Sequence, residues 1–199
     1  MIIPEEILIE YQAQVIHYKK DDYVFFEDDN PDYYYQIKSG TIKMSSFSHD
    51  GQEFIQGLFY QGQSFGEPAI FGTFPYPSNA IAMTESVLYR LNIPIFFEIL
   101  KNHFELHKKF NLILAERLRY KSTLLKEISS YSPDHIILTL LRYIRERDQK
   151  DLNRSYTVPY TRQQIADMTG LRVETVIRTI KKLQKEKKLE IREHKIILK

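Results

Sequence analysis

Two hydrophobic periods divide this chain. Over residues 12–92, short apolar runs rich in Tyr, Phe, Ile and Val are separated by polar turns; after Asn92, apolar residues recur every three or four positions. The first texture predicts strands at residues 15–18, 23–26, 33–38, 41–47, 54–60 and 87–91. Asp28-Asp29-Asn30-Pro31, Ser39-Gly40, Asp50-Gly51 and Gln61-Gly62 supply turn chemistry between them. Six of the seven glycines lie between Gly40 and Gly72, which fits a turn-dense region needing positive φ. Short strands at this spacing predict a barrel or jelly roll.

The second texture predicts helices. Asn92 can cap a helix with Pro94 in its first turn. A longer helix is expected over about residues 102–129, striped by Phe110, Ile113, Leu114, Leu118, Leu124, Leu125 and Ile128. Such a stripe packs on its own domain or pairs with a second copy across a two-fold axis. Arg117 and Lys121 interrupt it, and pattern alone leaves the two readings level. Ser132-Pro133 opens a further helix to about residue 148, with Ile136, Ile137, Leu140, Leu141 and Ile144 inward. A polar loop at 149–155 and a short strand at 157–159 are expected next.

Residues 161–187 read TRQQIADMTGLRVETVIRTIKKLQKEK. Thr161 and Gln164 have capping-box spacing, Ile165 and Met168 point inward, and Gly170 can take the left-handed conformation that ends a helix. A second helix starts near Arg172, with Val176, Ile180 and Leu183 buried. Helix, glycine turn, helix is a DNA-binding signature whose second helix enters the major groove by its N-terminal end. Arg172, Val173, Glu174, Thr175 and Arg178 are the expected readers of base edges. Arginine donates twice to guanine, a carboxylate accepts from cytosine, and valine touches a thymine methyl. Lys181 and Lys182 are expected along the phosphates, and Thr161, Arg162 and Gln163 at the backbone. Residues 190–192 and 196–198, around His194-Lys195, predict a hairpin wing.

Charge follows the same division. Residues 1–95 hold five Lys/Arg against 13 Asp/Glu, net −8, whereas residues 133–199 hold 16 against nine, net +7. One module therefore suits polyanions and the other does not. The sequence has no cysteine, which excludes disulfides, cysteine-ligated iron–sulfur clusters and thiol catalysis. The first eleven residues hold Glu5, Glu6 and Glu10 but no Lys or Arg, unlike a signal peptide. No apolar run reaches the roughly 20 residues of a membrane span, so no membrane association and a cytoplasmic location are expected.

On Thr161-Arg162-Gln163-Gln164-Ile165, Gly170, Glu174-Thr175-Val176, Arg178 and the wing, the chain resembles the Crp/Fnr family of bacterial regulators. The resemblance implies an α+β chain in three parts: a β-roll (double-stranded β-helix or jelly roll) at 1–101, a dimerisation helix at 102–131, and a winged helix-turn-helix at 132–199. It also implies a homodimer on a pseudo-palindromic operator, with Glu174 and Arg178 reading DNA. The long-helix stripe, with Arg117, becomes the dimer seam. RNA polymerase and a small-molecule effector are the further candidate partners. Val173 stands where catabolite-activator-type members carry arginine, as in the oxygen-sensing branch.

Phe65-Gly66-Glu67 looks like the start of the family's phosphate-binding cassette, with Ser78 and Asn79 completing an expected effector pocket. A desolvated cyclic phosphate needs a paired cation. Ser78, or Pro77, occupies the arginine position, and no Lys or Arg lies between Lys43 and Arg90. Cyclic AMP is therefore not the expected effector. Haem stays formally open through His17, His49, His103 or His107. The spacing of His103 and His107 would suit a metal on one helix face, but no metal is expected, because no carboxylate-plus-histidine pattern surrounds them. Two other classes compete: a cupin-type metal-dependent enzyme, for which the β region offers only His17 and His49, and an effector-binding adaptor that touches no DNA.

Overall fold

The computed structural model describes residues 1–48, 51–130, 132–148, 151 and 154–198, without the side chains of Leu124 and residues 127–130. The chain divides into two compact units, Met1–Ala115 and Glu116–Lys199.

The first unit opens with α1 (Glu5–Glu10) and continues through β1 (Gln14–Tyr18), β2 (Tyr23–Phe25), β3 (Tyr33–Ser39), β4 (Thr41–Phe47), β5 (Glu53–Tyr60) and β6 (Ser64–Phe65). Then come α2 (Glu67–Gly72), β7 (Asn79–Ala82), β8 (Ser86–Asn92), α3 (Ile93–Asn102) and α4 (Phe104–Ser130). The strands form two four-stranded antiparallel sheets, ordered β1-β8-β3-β6 and β2-β7-β4-β5. This is the predicted jelly roll. At the β3–β4 corner Gly40 takes φ +92°, and a Cβ there would come within 2.6 Å of the Glu85 carbonyl oxygen.

All six predicted strands are present, with ends shifted by no more than a residue or so. The two extra strands, β6 and β7, are too short or too poor in large residues to show a period. Pro68 and the glycines of 66–72 hide α2, a helix whose preceding residue, Gly66, has φ +80°.

Strand β3 is buried on both faces, which explains its unbroken YYYQIK run. Tyr35 and Ile37 face Phe25, Ile42, Met44, Phe65, Tyr76 and Leu88 inside the roll. Tyr34 faces the other way, onto Phe96, Ile99, Leu100 and Phe110 of the helices. Gln36, fully buried on that face, accepts from the Ile3 amide at 2.9 Å and the Tyr34 hydroxyl at 2.8 Å, and donates to the Ile3 carbonyl at 2.9 Å. A buried amide with such partners fixes the N-terminal segment to the sheet.

The long helix is not a segment apart. Its first turns, through Leu106 and Phe110, belong to the core of the first unit. Tyr120, in the second unit, stacks on Tyr143 with ring centroids 3.6 Å apart. The two compact units meet within α4, between Ala115 and Glu116.

The second unit holds α5 (Pro133–Asp148), β9 (Tyr156–Thr157), α6 (Arg162–Thr169), α7 (Val173–Lys185), β10 (Glu190–Arg192) and β11 (Lys195–Leu198). The five apolar residues expected inside α5 are all buried, as are Ile165, Met168, Val176, Ile180 and Leu183. The hairpin β10–β11 turns at Glu193 and His194, both at positive φ, and β9 pairs to its far side.

Candidate nucleic-acid interface

The start of α6 is built by the capping box that the sequence predicts. The Gln164 amide donates to Thr161 Oγ1 at 3.1 Å, and the Thr161 amide donates to Gln164 Oε1 at 2.9 Å. Two of the orphan donors at a helix N-terminus are thereby satisfied. Gly170, at φ +71°, closes α6 and turns the chain into α7, whose N-cap residue is Arg172. Thr169 Oγ1 donates back to the Ile165 carbonyl at 2.7 Å, securing the last turn.

Helix α7 is strongly two-faced. Val176, Thr179, Ile180 and Leu183 are buried. On the opposite side Glu174, Ile177, Arg178, Lys181, Lys182 and Lys185 line one open groove. These six stand at i, i+3, i+4, i+7, i+8 and i+11, one continuous stripe on a helix. Glu174, Arg172 and Arg178 are exposed, while Val173 and Thr175 are half-buried at the helix start. The sequence reading missed Ile177 and Lys185; counting threes and fours outward from Glu174 would have found both.

Lys182, on the same stripe, also has a partner within the unit. Its ammonium is paired with the Asp134 carboxylate at the start of α5, which raises its pKa, and lies 3.8 Å from Glu186. Lys181, one residue earlier on the same stripe, is exposed. At the opening of α6 the Arg162 guanidinium donates to the His194 carbonyl of the wing turn at 2.6 Å, and partial burial lowers its pKa. Gln163 Nε2 donates to the buried Asp167 carboxylate at 2.7 Å. Both α6 side chains thus have partners inside the unit.

The expected effector residues come together in the roll with their polar atoms largely committed. Phe65 is fully buried, 5.8 Å between centroids from Tyr35 and 5.9 Å from Phe25. Tyr76 stacks on Phe25 at 3.6 Å, close enough to Gly66 that a Cβ there would lie 3.0 Å from its ring. Burial pushes the Tyr35 hydroxyl up to about 12. Glu67 is fully buried and accepts from the Ser64 hydroxyl. Asn79 accepts from the Glu27 amide at 3.0 Å and donates to the Ser45 carbonyl at 3.2 Å. Ser78 Oγ is buried with no hydrogen-bond partner among the described residues. Arg90, paired in register with Tyr35 on the neighbouring strand β8, lies over the Tyr33 ring and is bonded to Gln14.

The predicted dimer stripe divides by burial. Phe110 is 1% exposed, wedged against Tyr34 and Phe96, and Ile113 packs on the same cluster. Phe110 is therefore a core residue of the first unit, and Ile113, half-buried, packs against that core. Leu118 and Leu125 are 67% and 68% exposed, seven residues apart, with Leu114 and Arg117 half-buried beside them. The Leu124 and Ile128 side chains lie outside the described residues. The metal candidates do not converge: His103 ends α3 before α4 begins, so it does not share a helix face with His107. His17 is exposed on β1, and His49 lies outside the described residues. Among the described residues there is no cluster of three or more metal-ligating His, Cys, Asp or Glu side chains, nor a helix long and apolar enough to cross a membrane.

A jelly roll followed along the chain by a winged helix-turn-helix defines a DNA-binding transcription regulator with a sensor-type domain. A family model for the cyclic nucleotide-binding domain matches residues 15–103, and one for the Crp-like helix-turn-helix domain matches residues 135–199. The nitrogen fixation regulation protein FixK of Bradyrhizobium diazoefficiens is 25% identical over 178 residues, 88% of this chain and 74% of that protein. The CRP-like cAMP-activated global transcriptional regulator of Mycobacterium tuberculosis is 27% identical over 167 residues, 83% of this chain and 75% of its own. The solved structure of FixK2 from Bradyrhizobium japonicum covers 94% of this chain and 92% of its own, with a TM-score of 0.75 at 21% identity. That of the c-di-GMP responsive global regulator CLP of Xanthomonas campestris covers 96% and 97%, with a TM-score of 0.74 at 18% identity. The chain belongs to the Crp/Fnr family of transcription regulators, and its homologues are regulators, not enzymes.

Proposed function

We propose that this regulator works as a cytoplasmic homodimer that reads a pseudo-palindromic operator with the exposed stripe of α7. The observation that carries this reading is the single line of Glu174, Arg178 and Lys181 on the side of α7 opposite its buried residues. Arg178 donates to a guanine edge and Glu174 accepts from a cytosine amine. Lys181 and Lys185 follow the phosphates, with Arg172, Val173, Thr175 and the Thr161–Gln163 corner at the margins of the footprint. Two copies joined along Leu114, Leu118 and Leu125 of α4 would present two such helices about 34 Å apart, one turn of DNA. RNA polymerase is the partner such a dimer meets at a promoter. Selection of bound duplexes from random DNA by the full chain tests the reading. It should return a two-fold symmetric site with half-sites one turn apart; an unstructured pool at low salt would refute it.

The effector of the roll is not cyclic AMP. Nothing cationic stands at Pro77 or Ser78, and Arg90, which pairs with Tyr35 across β3 and β8, is held on Gln14 and over the Tyr33 ring. Glu67 could hold a sugar hydroxyl but supplies no cation to the phosphate. Calorimetry with millimolar cyclic AMP should show no heat of binding, and micromolar affinity would overturn the assignment.

A further inference from the structure

Ile177 has no packing role that the structure shows. The buried line of α7 is Val176, Thr179, Ile180 and Leu183, and Ile177 lies off it, 41% exposed. Among the described residues of α7 it is the only exposed large apolar side chain; its exposed companions are Glu174, Arg178, Lys181, Lys182, Gln184 and Lys185. It sits at the middle of the stripe, three residues after Glu174 and immediately before Arg178, and lines the same groove. An isolated exposed isoleucine is ordinary on a protein surface. One set between the two side chains proposed to read base edges is placed where a DNA contact would bury its surface.

The major groove offers one apolar feature, the C5-methyl of thymine. Its neighbours on the groove floor are the donors and acceptors that Arg178 and Glu174 match. We propose that Ile177 is a specificity-determining residue that selects a thymine beside the base pair read by Arg178 and Glu174, through contact with its methyl group. This rests on the DNA-reading assignment of α7 and sharpens it, because it names a base that the charged residues leave undetermined. Val173, one turn earlier and half-buried, extends the apolar strip towards the helix start. A β-branched residue on a helix holds one χ1 rotamer, so the apolar surface is presented with little ordering on binding.

The test removes one symmetric pair of methyl groups at a time. The full chain and its Ile177→Ser variant are each used to select duplexes from random DNA. Each thymine of the wild-type site is then replaced in turn by deoxyuridine, symmetrically in both half-sites. Loss of a buried methyl corresponds to about fourfold in affinity per half-site. Wild type should lose about fourfold per half-site, roughly sixteenfold for the two together, at one symmetric thymine. Ile177→Ser should select that position without preference, ignore deoxyuridine there, and keep the wild-type preference elsewhere in the half-site. Unchanged thermal unfolding would show that the exposed substitution leaves the fold intact. A variant that selects the same thymine and responds to deoxyuridine as wild type does would overturn the proposal. A wild-type chain that selects no sequence overturns the DNA-reading assignment itself, and its failure is visible before any methyl is removed.

Discussion

Glu174 and Arg178 stand four residues apart, a spacing at which opposite charges can pair along a helix. No ion pair joins them among the described residues, and Arg178 keeps its guanidinium exposed. A guanidinium left in water is poised to exchange hydration for the paired acceptors of guanine, whereas a paired one would first have to break a contact. Substituting Arg178→Ala should therefore cost about 1–3 kcal/mol at the selected operator and relax preference at one symmetric base pair, with little loss on unrelated DNA. Titrations of the operator and of a scrambled duplex at one salt concentration distinguish the two effects. Equal losses on both duplexes would move Arg178 to the phosphates.

At the scale of elements, local chemistry was legible in the sequence wherever one residue's geometry suffices. Thr161 and Gln164 showed their capping box and Gly170 its turn, because those signals need no distant partner. Removing the Thr161 cap by Thr161→Ala should lower stability by about 1 kcal/mol, seen as a lower denaturant midpoint at unchanged slope. Long-range pairing was not legible. Nothing near Lys182 in sequence reveals Asp134, 48 residues away. The contrast has a measurable consequence. Lys181→Ala should weaken binding to all sequences alike and reduce the salt slope by about one. Lys182→Ala should change the slope less, since Asp134 already holds that charge. Strands β6 and β7 were invisible for a related reason: Ser64–Phe65 and Asn79–Ala82 are defined by pairing with β3, and with β2 and β4, not by any period of their own. The hydrophobic stripe of α4 was legible as a stripe, but which of its residues a β-roll core would take up was not. Phe110 meets Tyr34 and Phe96, contacts set by the sheet and by α3.

For the whole molecule, that division of α4 decides where two copies can meet. Phe110 is already used within the first unit, so among the described residues the proposed seam is carried chiefly by Leu114, Leu118 and Leu125. The last two are exposed in a single chain. Leucines seven residues apart fall on one line of a two-stranded coiled coil, and their burial against a second copy is the gain that would hold the proposed dimer. An acidic net charge of −8 over residues 1–95, five Lys/Arg against 13 Asp/Glu, opposes association elsewhere on that module. The basic C-terminal third needs the partner to place a second recognition helix on the same DNA face. Leu118→Glu puts a carboxylate opposite its own copy across the two-fold axis, an unfavourable like-charge contact in a desolvated seam. The variant should sediment as a monomer at concentrations where the wild-type chain is a dimer. It should also bind the full operator no more tightly than a single half-site. Because Leu118 is exposed in the single chain, thermal unfolding of the monomeric variant should retain a cooperative transition. A dimer that survives Leu118→Glu would place the two-fold axis on another surface, and the one-turn spacing of the half-sites would then need a different geometric origin.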